Sequence, residues 1–344
     1  MPQPATTLQD MPPAAARLCL RVERFLLDEL GFAPRGQELI LAYSGGADSS
    51  ALFYLLMALA PRLGFKLSLA HLDHALRPES GLEAHAALAL AQTHGLEHYI
   101  QRTDTAALAR TLKTGAEEAG REARLRFLRG LRDAAPRRWM VFAHQLDDLA
   151  EDMLMRLLRG TGWPALAGMT ALDRRQRLLR PLLMTSRAEV EDFLRGLGAP
   201  WLDDPMNREN AFLRNRVRLD ILPLFLRENP SFLKTMAGLH RMARLDAGLF
   251  QSLLRPAAAR VQDGFIPRAA LQGLDKALRL RLYKMELDKL GRGQVLRPSL
   301  LRLDQAWEQK KSGALIQFPG GKSARVEADG IRLAPNLGKE PQGF

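Results

Sequence analysis

The sequence predicts an α/β fold in which an open parallel sheet, typical of a nucleotide-binding domain, is followed by a helical domain and a small β-containing tail. Two observations predict it. The first two hundred residues alternate short β-like runs with helical runs. From about Arg216 onward strand signals disappear, and amphipathic helical patterns continue until the tail. A chain of 344 residues is long enough for two or three domains, which we expect at 1–215, 216–300 and 301–344.

Strands are predicted where short apolar runs are bounded by turn residues, at 38–43, 66–71, 98–101 and 139–143. Helices are predicted where apolar residues recur at helical spacing, at 51–60, 81–94, 117–132 and 149–159. The same spacing predicts helices at 232–254 and 274–290, and glycine turns separate strand-like runs at 315–318, 324–327 and 331–333. We expect the first dozen residues to be loose.

A glycine-rich segment directly follows the first predicted strand and leads into a helix. It reads Ser44-Gly45-Gly46-Ala47-Asp48-Ser49-Ser50. Glycines let the backbone approach an anion, while serine hydroxyls, free N–H groups and the helix N-terminus favour it, so we expect residues 44–49 to bind a phosphate group. Asp48 is a candidate Mg²⁺ ligand, because the cation would bridge a carboxylate and a phosphate. The alternative is an ordinary Gly/Ser turn that caps a helix.

Two further polar segments end predicted strands. His71 and Asp73 belong to the first, for which a zinc site is a weak interpretation because no third ligand pair follows at suitable spacing. His144, Asp148 and Glu151 belong to the second, and its two acids share one helix face. Acids this close favour a cation, either Mg²⁺ or a substrate amine, although acids also favour helix N-termini for structural reasons. Ligands bind at the carboxyl ends of parallel strands, where both segments fall.

Charge and composition limit the function further. The net charge of +12 predicts a polyanionic partner, with a nucleic acid favoured over a membrane surface. The one cysteine, Cys19, excludes internal disulfides and a cysteine-ligated cluster within the chain. The sequence contains no apolar run long enough to span a membrane and no signal-peptide pattern at its start. These features predict a cytoplasmic protein.

Six segments, in this order, resemble the tRNA(Ile)-lysidine synthetases of the N-type ATP pyrophosphatase (PP-loop, adenine nucleotide alpha hydrolase-like) superfamily. They are SGGADSS, HLDHALR, GAEEAGREARLRF, AHQLDDLAEDMLMRLLRGTGW, RPLL followed by Ser186-Arg187, and DDPMNRENAFLRNRVR. The resemblance implies that ATP adenylates the wobble cytidine of a CAU-anticodon tRNA(Ile) at its C2 oxygen, and that L-lysine then displaces AMP. The implied ligands are ATP, Mg²⁺, L-lysine and this tRNA; a homodimer is one option for the assembly.

The resemblance also implies residue roles. His71 and Asp73 would frame the nucleotide bound by the loop, and Arg124 would contact ATP or the cytidine. His144 would act in catalysis, while the acids on the shared helix face, Asp148 and Glu151, would hold the lysine amine. The tRNA backbone would meet a basic patch formed by Arg208, Arg214, Arg216 and Arg218. From the residues alone, Arg124 could equally lie on a solvated helix face, and the basic patch could equally be a charged helix start.

The sequence departs from the family pattern at four positions, Leu125, Asp152, Met206 and Leu219. These departures put details of base stacking and RNA docking in doubt, but remove no residue that the chemistry requires. Three alternatives remain at this stage. They are a tRNA thiolase of the same superfamily, which a single cysteine disfavours, a small-molecule ligase, and a nucleotide-sensing RNA-binding protein without turnover.

Overall fold

The computed structural model describes residues 4–75, 80–202, 213–291 and 293–335. The chain divides into two compact units, Met1–Arg241 and Met242–Phe344. The functional division expected at 1–215, 216–300 and 301–344 stays a prediction. Within the described ranges, no helix combines the length and the apolarity that a membrane crossing requires.

A six-stranded sheet forms the centre of the first unit, in the order β3-β2-β1-β4-β6-β5 among the described residues. Its strands are β1 (Glu38–Ala42), β2 (Lys66–Asp73), β3 (Glu97–Arg102), β4 (Arg138–Val141), β5 (Leu172–Asp173) and β6 (Leu178–Leu179). All neighbours pair in parallel except β5 and β6, which pair antiparallel. The strand order reverses between β1 and β4, and ligands bind at such a switch point in open α/β sheets. The predicted α/β class with a parallel sheet is confirmed.

Helices pack on both faces of this sheet, and ten α-helices begin in the first unit among the described residues. They are α1 (Pro13–Arg24), α2 (Ala47–Leu63), α3 (Ser80–Thr93), α4 (Thr105–Leu112), α5 (Ala116–Asp133), α6 (Leu146–Leu158), α7 (Arg187–Leu197), α8 (Leu213–Arg216), α9 (Leu222–Glu228) and α10 (Phe232–Ala258). Successive residues of β1 point to opposite faces. Leu39 and Leu41 join the core formed with α1, α2 and α7. Ile40 joins the opposite core, which contains Leu128 of α5. Both faces of the central strand are therefore buried, and its carboxyl end is free to present a loop.

The second unit contains an antiparallel four-stranded sheet in the order β7-β10-β9-β8 among the described residues. Its elements are β7 (Phe265–Pro267), α11 (Arg268–Leu271), α12 (Lys276–Lys289), α13 (Arg297–Glu308), β8 (Leu315–Phe318), β9 (Lys322–Val326) and β10 (Gly330–Pro335). The predicted helical region and β-containing tail are confirmed. The expectation that strands are absent between Arg216 and the tail is wrong, because β7 pairs with β10. Three residues are too few to show a periodicity.

Two helices of the first unit begin earlier than the sequence predicted. The helices predicted to start at 51 and 149 begin at Ala47 and Leu146, so the predicted site acids lie in their first two turns. Met11, which we expected to be loose, is buried in the core formed with α1, α2 and α7. Arg208 and Met206 lie outside the described residues.

Candidate active site

The loop between β1 and α2 requires glycine at position 45. Gly45 has a φ of +83°, in the region that glycine adopts without strain. A Cβ atom there would also lie 2.9 Å from Leu202 Cδ1. The Leu202 N–H donates to the Gly45 carbonyl at 2.9 Å, so the chain that follows α7 is paired with this loop. The loop is therefore held from the side as well as from its own two ends.

The hydroxyl groups of the loop hold its shape. Ser49 Oγ donates to the Gly46 carbonyl at 3.0 Å and lies 3.2 Å from the hydroxyl of the exposed Ser44. The first intrahelical bond of α2 joins the Ser50 N–H to the Gly46 carbonyl at 3.0 Å. The N–H groups of residues 47–49 precede that bond and lack intrahelical partners, and this is the arrangement that binds phosphate at helix N-termini.

Asp48 lies in the first turn of α2 and is half-buried. Burial raises the pKa of its carboxyl group to about 6, and the nearby negative charges of Asp148 and Asp147 add to the effect. A cation beside Asp48 would relieve this repulsion. Among the described residues no three or more His, Cys, Asp or Glu side chains are clustered for a metal ion. One carboxylate that shares Mg²⁺ with phosphate oxygens is the usual arrangement for this ion, so Asp48 fits the predicted role.

His71 and Asp73 lie in the last residues of β2, beside the loop that follows β1. His71 Nδ1 donates to the Tyr43 carbonyl at 3.0 Å, while its Nε2 is buried without a hydrogen-bond partner among the described residues. Asp73 accepts from the Ala75 N–H at 2.8 Å. The Nε2 atom of His71 is therefore left as the acceptor that a ligand donor could use, whereas Asp73 shapes the turn after its strand.

The start of α6 fixes the direction of one predicted lysine ligand. Gln145 caps the helix: its side chain accepts from the Asp147 N–H at 2.7 Å, and its own N–H donates to Asp148 Oδ2 at 3.0 Å. Asp147 Oδ2 accepts from the Arg187 N–H at 2.9 Å. Only Oδ1 of Asp148 is thus left to face the site.

Two arginines cover the acids of α6. Arg214 Nη2 lies 2.7 Å from Asp148 Oδ1, and Arg214 Nε lies 3.0 Å from Glu151 Oε2. Arg218, in the π-helical turn that follows α8, binds Glu151 Oε1 through Nε at 2.6 Å and Asp148 Oδ1 through Nη2 at 3.1 Å. We call these four residues the acid–arginine cluster. Burial alone would raise the pKa of Asp148, but the guanidinium of Arg214 and the other partners hold it below its usual range.

The cluster joins two predicted groups that sequence reasoning kept apart. Asp148 and Glu151 were predicted to hold an amine, and the structure gives them two guanidinium groups as cations. Arg214 and Arg218 were predicted to meet tRNA phosphates, and the structure pairs them with carboxylates instead. Arg216 is exposed on α8. The lysine-binding and tRNA-binding roles of these residues stay predictions. In either role, the ligand would have to displace contacts between the carboxylates and the arginines.

His144 lies between β4 and α6, where its partner is Arg180. Arg180 Nε donates to His144 Nδ1 at 3.1 Å. Burial lowers the pKa of His144 well below its usual range, and the positive charge of Arg180 adds to the effect. The ring is therefore neutral at physiological pH. Arg180 follows β6, the parallel neighbour of β4, and this pairing brings the two side chains together.

Arg124 lies on α5 and is half-buried. Its Nε is inaccessible and has no hydrogen-bond partner among the described residues. Burial lowers the pKa of its guanidinium, and the charges of Arg121 and Arg214 lower it further. A cation surrounded by cations favours an anionic ligand, and the contact of Arg124 with ATP or the cytidine stays a prediction.

Sequence reasoning missed three contributors to this edge of the sheet: Arg180, Leu202 and the capping side chain of Gln145. A signal existed for Arg180, because RPLL was one of the segments that carried the family resemblance. Four positions depart from the family pattern. Leu125 packs against the core that contains Ile40 and Leu128, and Asp152 pairs with Arg156 at 3.0 Å. Leu219 is exposed, and Met206 lies outside the described ranges.

Comparison with known proteins identifies the family of this chain. Residues 19–225 match a family model described as a PP-loop domain. The chain is 39% identical over 324 residues to tRNA(Ile)-lysidine synthase from Nitratidesulfovibrio vulgaris, covering 88% of this chain and 93% of that protein. It is 37% identical over 338 residues to the Bradyrhizobium enzyme of the same name, covering 88% and 92%. A Thermus thermophilus enzyme, again of this name, is 35% identical over 313 residues, which are 89% of this chain but 58% of that longer protein.

A solved structure shares the fold at lower sequence identity. The U34-tRNA thiolase NcsA from Methanococcus maripaludis, determined with its [4Fe-4S] cluster, matches with a TM-score of 0.56 and 17% identity. The match covers 67% of this chain and 79% of that one. At this identity the likeness concerns the fold alone.

Proposed function

Because the chain belongs to the tRNA(Ile)-lysidine synthase family and is therefore an enzyme that forms lysidine in tRNA, we propose that it ligates L-lysine to C2 of the wobble cytidine of a CAU-anticodon tRNA(Ile). ATP supplies the driving force and leaves as AMP and pyrophosphate. The enzyme acts in the cytoplasm, where this tRNA is used.

In the first step the C2 oxygen of cytidine attacks the α-phosphorus of ATP, and the bond to the β-phosphate oxygen breaks. The N–H groups of residues 47–49 and the hydroxyl of Ser44 hold the phosphates. Arg124 gives a fixed positive charge to the oxygens that gain negative charge in the transition state. Asp48 would hold Mg²⁺, which supplies electrostatic stabilisation of the pyrophosphate leaving group when bound.

In the second step the lysine side-chain nitrogen attacks C2, and the C2–O bond to AMP breaks. The lysine ammonium must first lose a proton, and a carboxylate of the pair Asp148 and Glu151 accepts it. The same pair orients the amine toward C2. To bind there, the amine takes over carboxylate oxygens that Arg214 and Arg218 occupy in this structure.

The observation that carries this proposal is the acid–arginine cluster beside Asp48. It supports cation binding at Asp148 and Glu151, because these acids already bind two guanidinium groups at distances of 2.6 to 3.1 Å. The phosphate loop and α6 follow the neighbouring parallel strands β1 and β4, and the charges of Asp148 and Arg218 affect the pKa of Asp48, which supports the assignment of the loop and the cluster to one site. A cation site beside a phosphate site is what amine transfer to an adenylated base requires.

Binding of tRNA rests on charge. The net charge of +12 favours a polyanion, and Arg216, exposed on α8, is not a member of the acid–arginine cluster. The unstacked wobble base is read in a pocket near Arg124, and discrimination between tRNAs that share the CAU anticodon comes from the helical carboxyl-terminal part, which grips the rest of the tRNA. A thiolation reaction has no support from this chain, because Cys19, its one cysteine, is fully buried and burial raises the pKa of the thiol to about 12.

The test is transfer of labelled L-lysine to RNA, with ATP and two transcripts that share the CAU anticodon. One is isoleucine tRNA and the other is initiator methionine tRNA. We expect stable label on the isoleucine transcript only, with one AMP and one pyrophosphate released per lysine. Equal labelling of both transcripts would contradict the selectivity, and release of ADP would contradict adenylation.

A further inference from the structure

The contact between Arg180 and His144 determines where the imidazole carries its proton. An arginine side chain has only donors, so its Nε–H can meet only an acceptor. His144 Nδ1, 3.1 Å away, must therefore be unprotonated. The single proton of the neutral ring then lies on Nε2, because the bond made by one ring nitrogen sets the state of the other.

Arg180 is itself held in place from two directions. Its Nη1 donates to the Thr170 carbonyl at 2.6 Å, and its backbone N–H donates to the Ala171 carbonyl at 2.8 Å. The guanidinium carbon lies 6.0 Å from the centre of the Phe142 ring, and that ring lies 5.7 Å from the ring of His144. The arginine is thus a fixed donor, and the imidazole is fixed against it.

The charges around His144 favour the neutral ring. Arg180 after β6, Arg124 on α5 and Arg214 on α8 disfavour an imidazolium, and Asp148 on α6 favours it. His144 is only partly exposed, and its Nε2 has no hydrogen-bond partner among the described residues. In this neutral ring, Nδ1 already accepts from Arg180 and the Nε2–H is unused. The ring can therefore donate one hydrogen bond through Nε2, but it cannot accept a proton there.

We propose that Arg180 is a positioning residue for lysidine formation, which holds His144 in the Nε2–H form so that this ring donates a hydrogen bond to a substrate oxygen and does not act as a base. This inference rests on the function proposed above. The acceptor is an oxygen that gains negative charge, on the α-phosphate or on C2 of the cytidine. Proton removal from lysine is left to the carboxylates.

The first experiment reads the proton directly. The protein contains seven histidines, so uniform [¹⁵N]histidine labelling of the full chain and two-bond ¹H–¹⁵N correlation will resolve few signals. His144→Asn identifies the signal that disappears. We expect a neutral Nε2–H ring at pH 7 in the wild-type protein. A neutral Nδ1–H ring, or an imidazolium, would overturn the proposal, whether or not the protein makes lysidine.

The second experiment separates positioning from a merely structural role. Lysine, like arginine, can only donate, whereas glutamine can turn its carbonyl toward Nδ1 and stabilise the wrong tautomer. We expect Arg180→Lys to keep the Nε2–H tautomer of His144 and most of the rate of pyrophosphate release. We expect Arg180→Gln to shift His144 to the Nδ1–H tautomer and to lose about tenfold in that rate at pH 8, the effect of one hydrogen bond.

Arg177→Gln is the matched control. Arg177 precedes β6, its Nη1 donates to the Ala135 carbonyl at 2.7 Å and its Nη2 pairs with Asp133 at 2.9 Å, so the variant removes at least as many contacts without touching His144. Its rate of pyrophosphate release and the tautomer of His144 should match those of the wild type. If Arg180→Gln lost activity while His144 kept the Nε2–H tautomer, as after a structural defect, the positioning role would be refuted. If the wild type made lysidine but had the Nδ1–H tautomer, this inference alone would fail.

Discussion

Replacing Glu151 by glutamine removes one negative charge from the acid–arginine cluster while keeping the size of the side chain. Glu151 is 1% exposed and accepts three hydrogen bonds from Arg214 and Arg218. In the wild type the cluster has two negative and two positive charges. In Glu151→Gln it has a net charge of +1, which a lysine ammonium must approach.

The size of the effect follows from this charge. Two unit charges 4 Å apart interact by about 4 kcal/mol at an effective dielectric constant of 20. The side chains of Arg214 and Arg218 are 32% and 19% exposed, so solvent screening reduces the figure to about 2 kcal/mol. We therefore expect the KM for lysine to rise about 30-fold. The KM for ATP should change less than about threefold, because the phosphate loop makes its contacts through other groups.

The assay is steady-state AMP release with tRNA(Ile) transcript, in which lysine and ATP are varied separately. Asp152→Asn is the matched control: it removes a neighbouring acid of α6 whose partner, Arg156, lies four residues away on the same helix. Such a pair contributes at most about 1 kcal/mol, and neither KM should move. Equal rises in both KM values for Glu151→Gln would indicate a metal-binding or structural role and refute the amine site.

Three further predictions concern the phosphate loop and the RNA. Asp48→Asn should abolish pyrophosphate release, yet raise the melting temperature of the ligand-free protein at pH 8. The pKa of this carboxyl group is raised to about 6 in the folded protein, so it lowers stability above that pH and has no such effect below its unfolded pKa. A rise in melting temperature that persisted at pH 3.5 would contradict the assignment. Gly45→Ala should weaken ATP binding measured by calorimetry. Adding Leu202→Ala to this variant should fail to restore binding, because the φ of +83° stays unfavourable for alanine once the contact with Leu202 is removed. Full rescue would show that only the contact with Leu202 mattered. Arg216→Ala should weaken the binding of all tRNAs alike in a filter-binding assay. The slope of log K plotted against log salt concentration should become less steep by about 0.7 to 0.9. A loss of affinity confined to one tRNA would instead place Arg216 in base recognition.

Local sequence was sufficient to predict the phosphate loop and the edge of the sheet where the site lies. The turn from β1 into α2 depends on residues that are adjacent in the chain, and the rule that ligands bind at the carboxyl ends of parallel strands places His144 and Asp148 beside it. The helix starts at Ala47 and Leu146 were misplaced because apolar spacing predicted later starts, whereas α6 begins at its Gln145 cap and α2 begins directly after Gly46, without a side-chain cap.

The partners of the site residues could not be predicted in the same way. Arg214 and Glu151 are separated by 63 positions, and Arg180 and His144 by 36. The second contact exists because β6, two residues long, pairs with β4, and a strand so short shows no periodicity in the sequence. The basic patch was therefore assigned to RNA phosphates on charge alone, although two of its arginines have carboxylates within reach in the fold.

The acid–arginine cluster also affects how the protein responds to the supply of its amino-acid substrate. Its two carboxylates are neutralised by arginines of the same chain, so the folded state does not need a ligand to compensate their buried charge. A lysine that binds there exchanges one cation for another, and the measured dissociation constant reflects the difference between them. Because the stability gained from a ligand grows with its concentration relative to that constant, a weak net exchange leaves the folded population nearly constant when free lysine is scarce. Starvation would then slow the enzyme without depleting it.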